Sequence, residues 1–285
     1  MKNYLIVCDT TSAMDFEMAD ALGVELMPLS VIINDREFKD LIDIDKPTLY
    51  RELENGVVPT TSQPSIGYVT QRMEEWKSKD YEAILVFTCS SSLSGANHTY
   101  HMVKEDLGMD NVYIIDTRSV GSPIYDCVKT AKQMADEDKT IDEILKTIDL
   151  KCKNSFSFLY PESLTQLKRG GRISPIAANV ASLLRIKILL YLKEDGSVVD
   201  KFAVARTETK LISEAVDKLK SINVTALTHK VYILHANNYS GAQKVEKIAK
   251  AYFDDITCEI IELPTVLTCH GGLGCVAVQT TLKTN

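Results

Sequence analysis

The stretch Ala83-Ile84-Leu85-Val86-Phe87-Thr88, followed by Cys89-Ser90-Ser91-Ser92-Leu93-Ser94-Gly95, decides the fold of this chain. The first part is a short apolar run, which is typical of a buried strand, and residues 94–107 then predict a helix. The same order recurs around it, because residues 4–8 and 112–115 are apolar runs that each end at an aspartate. Short apolar strands separated by amphipathic helices indicate a parallel sheet in an α/β domain.

The pattern changes after about residue 155. Residues 186–193 and 198–206 are two extended runs separated by Glu194-Asp195-Gly196, which predicts an antiparallel hairpin. Helices and strands then alternate to residue 281. We therefore expect an α/β fold with two domains. Residues 1–155 are predicted to form an α/β domain with a parallel sheet, and residues 156–285 an α+β domain with a mixed, partly antiparallel sheet.

Composition excludes several classes of partner. The 285 residues are 45% hydrophobic, carry a formal net charge of −7 and contain no cluster of lysine and arginine. Nucleic acid binding needs such clusters to neutralise phosphates, so we do not expect nucleic acid as a partner. No apolar run reaches the roughly 20 residues of a membrane-spanning helix, and the apolar N-terminal run is too short for a signal peptide. We expect a cytoplasmic protein without stable membrane insertion, whose seven cysteines are reduced thiols.

Two hydroxyl-rich segments, Thr60-Thr61-Ser62-Gln63-Pro64-Ser65 and residues 90–95, are the candidate binding loops. Each precedes a predicted helix, and Pro64 suits a first helical turn, so we expect the helix N-cap at Ser62 or Gln63. Hydroxyls and the free N–H groups of a helix start can hold an anion without a basic residue. This predicts a site for a small acidic head group near the carboxyl ends of the strands. Helix capping without a ligand is the alternative for each segment.

Two glycine-bearing turns add candidate groups. Leu167-Lys168-Arg169-Gly170-Gly171-Arg172-Ile173 could direct the Arg172 guanidinium at a carboxylate or phosphate, and His270-Gly271-Gly272-Leu273-Gly274 could line a ligand as a loop. A solvated basic turn and a purely structural loop are the alternatives. His98-x-x-His101 has no further ligand to complete a metal set, so no metal site is expected. A Ser94 nucleophile would need a positioned base, for which these two histidines are nearest in sequence.

Together these segments resemble the DegV family of bacterial fatty-acid-binding proteins. The resemblance runs from Asp9-Thr10-Thr11 to residues 270–274, and its most specific pieces are residues 61–65, 91–95 and 167–173. It implies a two-domain α/β fold with a long-chain fatty acid between the domains. The residues that it assigns to the fatty acid carboxylate are Thr61, Ser62, Ser94, Arg172 and His270.

The resemblance implies a carrier and not an enzyme, with no cofactor apart from the bound lipid. Some family members present the fatty acid to a separate ATP-binding kinase subunit, which forms an acyl phosphate, and on that analogy Arg206 is a candidate partner contact. Ile188 and Leu273 stand where the family usually has proline, so kinase partnership and chain preference stay open. Two other functions also stay open: a hydrolase or acyltransferase that uses Ser94, and a binding protein for another small anionic metabolite.

Overall fold

The computed structural model describes residues 2–179 and 186–284. The strands in these ranges are β1 (Tyr4–Asp9), β2 (Glu25–Met27), β3 (Ser30–Ile33), β4 (Arg36–Lys39), β5 (Thr60–Ser62), β6 (Ala83–Thr88), β7 (Val112–Asp116), β8 (Phe156–Tyr160), β9 (Lys187–Leu192), β10 (Val199–Ala205), β11 (His229–His235), β12 (Cys258–Glu262) and β13 (Val276–Leu282). The helices are α1 (Phe16–Leu22), α2 (Lys46–Glu54), α3 (Ile66–Lys77), α4 (Ala96–Leu107), α5 (Ser122–Asp136), α6 (Ile141–Lys153), α7 (Thr165–Gly170), α8 (Pro175–Asn179), α9 (Glu208–Ser221), α10 (Tyr239–Tyr252) and α11 (Thr265–Gly271), and a 3-10 turn spans Thr10–Ser12.

A parallel sheet of four strands, in the order β2-β1-β6-β7, forms the first layer. Every residue of the central strand β6 is buried, because helices cover both faces of the sheet. Ile84 and Val86 pack with α3 and α4 on one face, whereas Leu85 and Phe87 pack with α5 and α6 on the other. This arrangement confirms the predicted α/β sheet, in which an uninterrupted apolar run is buried on two sides.

A six-stranded mixed sheet, in the order β10-β9-β8-β13-β11-β12, forms the second layer. Only the β11–β12 pair is parallel among its pairs in the described ranges. The predicted hairpin joins β9 to β10, and its turn contains Gly196 at a φ of 72°. The mixed sheet is thereby confirmed, while the division into domains at residue 155, between α6 and β8, stays a prediction.

The two strands within residues 24–33 belong to different sheets. Strand β2 joins the parallel sheet, whereas β3 is the centre of a three-stranded antiparallel sheet in the order β4-β3-β5. Val31 and Ile33 of β3 pack against Val266 and Cys269 of α11. This packing places the short strand β5 beside α11.

The N-cap expected at Ser62 or Gln63 lies instead at Ser65. The hydroxyl of Ser65 accepts a hydrogen bond from the Tyr68 backbone N–H at 3.2 Å. The prediction was wrong because Ser62 ends strand β5, and because the residue before Pro64 is biased towards extended backbone. The hydroxyls of residues 60–62 are therefore carried on a strand and not on a helix start.

A buried charged network joins α5 and α6 to the second sheet. Lys151 Nζ lies 2.6 Å from Asp126 Oδ2 and donates to the Leu282 carbonyl at 2.8 Å. Tyr232 donates its hydroxyl to Asp126 Oδ1 at 2.8 Å, and Lys230 pairs with the same carboxylate. Because Lys151 is only 2% exposed, this network is held away from water and links the two layers.

The single tryptophan, Trp76 on α3, is buried against α4 and the parallel sheet. Its Nε1–H donates to Glu25 Oε2 at 3.0 Å, and Arg72 pairs with Oε1 of the same carboxylate at 2.6 Å. The indole is therefore held by both apolar packing and a hydrogen bond at the start of β2.

Candidate functional site

A cavity of about 380 Å³ is lined by residues of both halves of the chain. Most of its lining side chains are apolar, including Leu29 from the loop before β3, Leu234 from β11 and Val266 from α11. The predicted site residues that also line it are Thr61, Ser62, Ser94, Arg172 and His270. The structure thus brings together five residues that the sequence assigned to one polar site.

Thr61 and His270 are in direct contact at the cavity wall. Thr61 Oγ1, on β5, lies 2.9 Å from Nε2 of His270. The sequence predicted a glycine-rich loop here, but His270 lies in the last turn of α11, and Gly272, with a φ of 76°, caps the end of this helix. The helix therefore aims the imidazole at β5, and the loop begins only after it.

The imidazole of His270 is neutral at pH 7. Burial, with a smaller contribution from the charge of Arg172, lowers its pKa to about 4. Nδ1 is buried and has no hydrogen-bond partner among the described residues. A Cβ atom at Gly170 would overlap the ring at Nδ1, so the imidazole occupies space that only a glycine leaves free.

Arg172 provides a positive charge at this site. Its Nε donates to the Leu93 carbonyl at 3.1 Å and its Nη1 to the Gly170 carbonyl at 2.5 Å. Among residues 2–179 and 186–284 it forms no ion pair, so no carboxylate of the described chain neutralises it. A half-buried guanidinium without an acidic partner attracts an anion.

The two hydroxyl-rich segments meet at Gln63 and Gly95. Gln63 Nε2 donates to Thr99 Oγ1 at 2.8 Å, and a Cβ atom at Gly95 would overlap the Gln63 amide. Ser94 Oγ accepts from the Ala96 N–H at 3.3 Å, which orients this hydroxyl at the start of α4. The expected pairing of the two segments at one site is present in the structure.

Comparison with known proteins identifies the family. Residues 3–283 match the model of the DegV family of uncharacterised proteins. This chain belongs to the DegV family. A Thermotoga maritima protein named fatty acid-binding protein is 29% identical to this DegV chain in an alignment 282 residues long, which covers 95% of each protein.

Solved structures of DegV proteins share the fold of this one. A Thermotoga maritima structure, described as revealing a fatty acid binding function, has a TM-score of 0.84 at 26% identity and covers 99% of this chain and 100% of its own. A fatty acid binding DegV protein from Streptococcus agalactiae has a TM-score of 0.89 at 22% identity, with 100% of both chains covered. Because this second protein is only 22% identical, its structural similarity is evidence for the shared fold alone.

Sequence reasoning missed Gln279, which closes one part of the cavity of this DegV protein. Its Nε2 donates to the Val120 carbonyl at 2.8 Å and to Ser157 Oγ at 2.9 Å, and its Oε1 accepts from the Ser122 N–H at 2.8 Å. The amide is thus fully used within the protein and leaves nothing for a ligand head group. The available signal was one long polar residue inside the apolar strand β13.

The first aspartate of the family resemblance has a structural position. Asp9 Oδ1 accepts from the N–H and the hydroxyl of Thr11, and Oδ2 accepts from the Cys89 N–H at 3.4 Å. Burial raises the pKa of Asp9. The carboxylate therefore ties the end of β1 to the end of β6, and Thr11 is left to line the cavity.

Three other candidates lie outside the cavity. His98 and His101 are exposed on α4, and the described ranges contain no group of metal-ligating side chains. Arg206 is exposed directly after β10, so its suggested contact with a partner stays a prediction.

None of the helices in the described part of this DegV protein is long and apolar enough to cross a membrane.

Proposed function

We propose that this DegV protein binds a long-chain fatty acid in the cavity. The residues proposed to hold its carboxylate are Thr61, Ser62, Ser94, Arg172 and His270. The observation that carries the proposal is an Arg172 guanidinium without an acidic partner on the wall of a mostly apolar cavity. The relatives named for fatty acid binding support the same ligand class.

The acyl tail is proposed to supply most of the affinity. About 14 methylenes at ~0.8 kcal/mol each would contribute roughly 11 kcal/mol before the costs of association. A cavity of about 380 Å³ lies within the usual range for small-molecule sites. The apolar walls would therefore bind the tail, and the polar groups would set its direction.

The polar groups are proposed to offset the cost of burying the carboxylate, which is high without hydrogen-bond donors. In the tautomer with the proton on Nε2, His270 donates to Thr61 Oγ1, and the Thr61 hydroxyl hydrogen is free for the ligand. Ser94 Oγ accepts from the Ala96 N–H, and the hydroxyl can rotate its hydrogen from the buried Cys89 thiol to the ligand. Arg172 keeps guanidinium N–H groups beyond the two that it donates to carbonyls.

The geometry favours this ligand over the two alternatives. Within the described ranges, no His, Lys or carboxylate group hydrogen-bonds to Ser94 Oγ, so a serine nucleophile has no positioned base there. A phosphorylated metabolite would be expected to fill a polar crevice, whereas most side chains around this cavity are apolar.

Mass spectrometry of lipid extracted from the purified protein is the direct test. We expect a long-chain fatty acid in the extract, and binding of palmitate or oleate by the delipidated protein. Acetate carries the same head group without a tail and should bind far more weakly. If no acyl chain is recovered and neither added acid binds, the proposed function is wrong.

We further propose that the bound acid is presented to a separate ATP-binding kinase subunit, with Arg206 at the contact. This rests on the family resemblance and on the exposed position of Arg206. With such a subunit and ATP, Arg206→Ala should slow acyl phosphate formation but keep palmitate affinity. Lys201→Ala, at another exposed position on β10, is the control. Equal rates for both variants and the wild type would exclude the Arg206 contact.

A further inference from the structure

Two cysteines from neighbouring helices face each other away from the cavity. The Sγ atoms of Cys127 on α5 and Cys152 on α6 lie 3.9 Å apart, and neither is in a disulfide. This distance is sulfur–sulfur contact, and a disulfide would shorten it to about 2.05 Å. Cys127 is buried, whereas Cys152 is partly exposed.

The surroundings of the pair make the two thiols unequal. The hydrogen bond from the Cys127 thiol lowers the pKa of Cys152, and the positive charge of Arg118 lowers it further, against burial and the smaller opposing charges of Asp149 and Asp116. The same hydrogen bond and burial raise the pKa of Cys127. Arg118 is held near this end of α6 by Asp149, whose Oδ1 lies 3.2 Å from its Nη2. The accessible thiol is therefore the one whose thiolate is stabilised, as in reactive cysteines.

We propose that Cys127 and Cys152 form a redox-reactive dithiol, which a hydroperoxide converts into an intramolecular disulfide. The Cys152 thiolate attacks one peroxide oxygen, the O–O bond breaks, and the leaving oxygen takes up a proton. Cys152 is then a sulfenic acid. The Cys127 sulfur attacks that of Cys152, the S–O bond breaks, and water leaves with the Cys127 proton. The peroxide gains two electrons, which the two thiols lose on forming one disulfide bond.

The remaining cysteines lack this arrangement. Cys8, Cys89, Cys269 and Cys275 are buried, and burial raises the pKa of each thiol. Cys258 is partly exposed like Cys152, but its Sγ–H donates to the Ile256 carbonyl at 3.4 Å. In the described ranges no second pair of cysteines is in hydrogen-bonding contact. Cys258 is therefore the matched control, because it is partly exposed like Cys152 but has no second thiol beside it with which to form a disulfide.

The experiment treats the reduced full-length protein with hydrogen peroxide and follows its intact mass and alkylated peptides. We expect the loss of two hydrogen atoms, a cross-linked peptide joining Cys127 to Cys152, and reversal by dithiothreitol. Cys152 should be oxidised at least about tenfold faster than Cys258. If the wild-type protein keeps both thiols alkylatable while Cys258 is oxidised, the proposal is overturned.

Variants separate the two steps. Cys127→Ser should stop the reaction at a Cys152 sulfenic acid that dimedone traps, whereas Cys152→Ser should prevent the cross-link and Cys258→Ser should leave it unchanged. Arg118→Gln should slow the first step only. A cross-link in wild type that involves any other cysteine pair would overturn the assignment, and this result requires no variant to fold.

Discussion

Nε2 of His270 lies 2.9 Å from Oγ1 of Thr61, although 209 positions separate the two residues in the chain. This contact holds the end of α11 against β5. When Nε2 carries the proton and donates it to Thr61 Oγ1, the hydrogen of the Thr61 hydroxyl is available to a ligand. The proposed carboxylate site therefore depends on the three-stranded sheet as much as on the hydroxyl-rich segments themselves.

Removing the hydroxyls of Thr61 and Ser94 should remove fatty acid binding. A hydrogen bond to a charged group contributes about 1.5–3 kcal/mol, so Thr61→Ala and Ser94→Ala should each weaken palmitate binding by roughly tenfold to a hundredfold. The double variant should show no binding while its circular dichroism spectrum is unchanged. Thr60→Ala, at the exposed end of the same strand, is the control. Normal palmitate affinity in the double variant would refute the carboxylate assignment.

His270 should make the protein less stable in acid. Its pKa is about 4 when folded and about 6.5 in an unfolded chain, so the unfolded chain binds more protons between these values. The free energy of unfolding should therefore fall, by up to about 3 kcal/mol, as the pH drops through this window. His270→Asn should lose this dependence in urea unfolding of delipidated protein.

Comparing the free energies of unfolding of the wild type and His270→Asn separates the contribution of His270 from that of Asp40. Burial raises the pKa of the Asp40 carboxyl to about 6, and this group acts with the opposite sign, because its folded form binds the extra proton. Its contribution cancels when the variant is subtracted from the wild type at each pH. If the free energy of unfolding of the wild type and of His270→Asn changes in parallel between about pH 4 and 6.5, burial does not lower the pKa of His270.

Gly170→Ala should disturb the site through His270. The added methyl group would overlap Nδ1 of the ring and displace it from Thr61, so palmitate should bind roughly tenfold more weakly, the loss expected for one hydrogen bond. Gly67→Ala is the control, because no atom lies within 4 Å of the new Cβ. Unchanged palmitate titrations for both variants would mean that the imidazole position is not needed.

Asp126→Asn should destabilise the whole protein. The change leaves Lys151, which is 2% exposed, without its buried partner, and such losses cost about 3–5 kcal/mol. Asp136→Asn, on the same helix, breaks an exposed pair with Lys132 and should cost less than about 1 kcal/mol. Denaturant titration of both variants checks the difference, and equal costs would argue against a buried ion pair.

The parallel sheet could be predicted because three of its four strands are uninterrupted apolar runs. Strand β6 has six buried residues and is followed by a helix, so its pattern admits few other structures. The three-stranded sheet could not be predicted in the same way. Strand β5 consists of Thr60-Thr61-Ser62, which has no apolar alternation, and it is a strand only because β3 pairs with it. Pairing across the chain thus overrode a local pattern typical of a helix cap.

The candidate site, too, could be predicted only in part from local sequence patterns. The five residues that the family resemblance assigned to a carboxylate, Thr61, Ser62, Ser94, Arg172 and His270, are all among the residues that line the cavity. The motifs could not locate the contact of Thr61 with His270, the overlap that Gly170 avoids, or the closure by Gln279. Those relations depend on helix α11 and strand β13, whose partners lie at least 100 positions away in sequence.

The burial of Trp76 has a practical consequence for optical measurements. Since the only indole of the protein lies on α3 and packs against α4 and the parallel sheet, its emission reports on the parallel-sheet layer and not on the second sheet. Far-ultraviolet circular dichroism, by contrast, reports on the helices and strands of the whole molecule. Coincident transitions from the two probes would indicate that the layers unfold as one cooperative unit, and separate transitions would support two domains divided near residue 155.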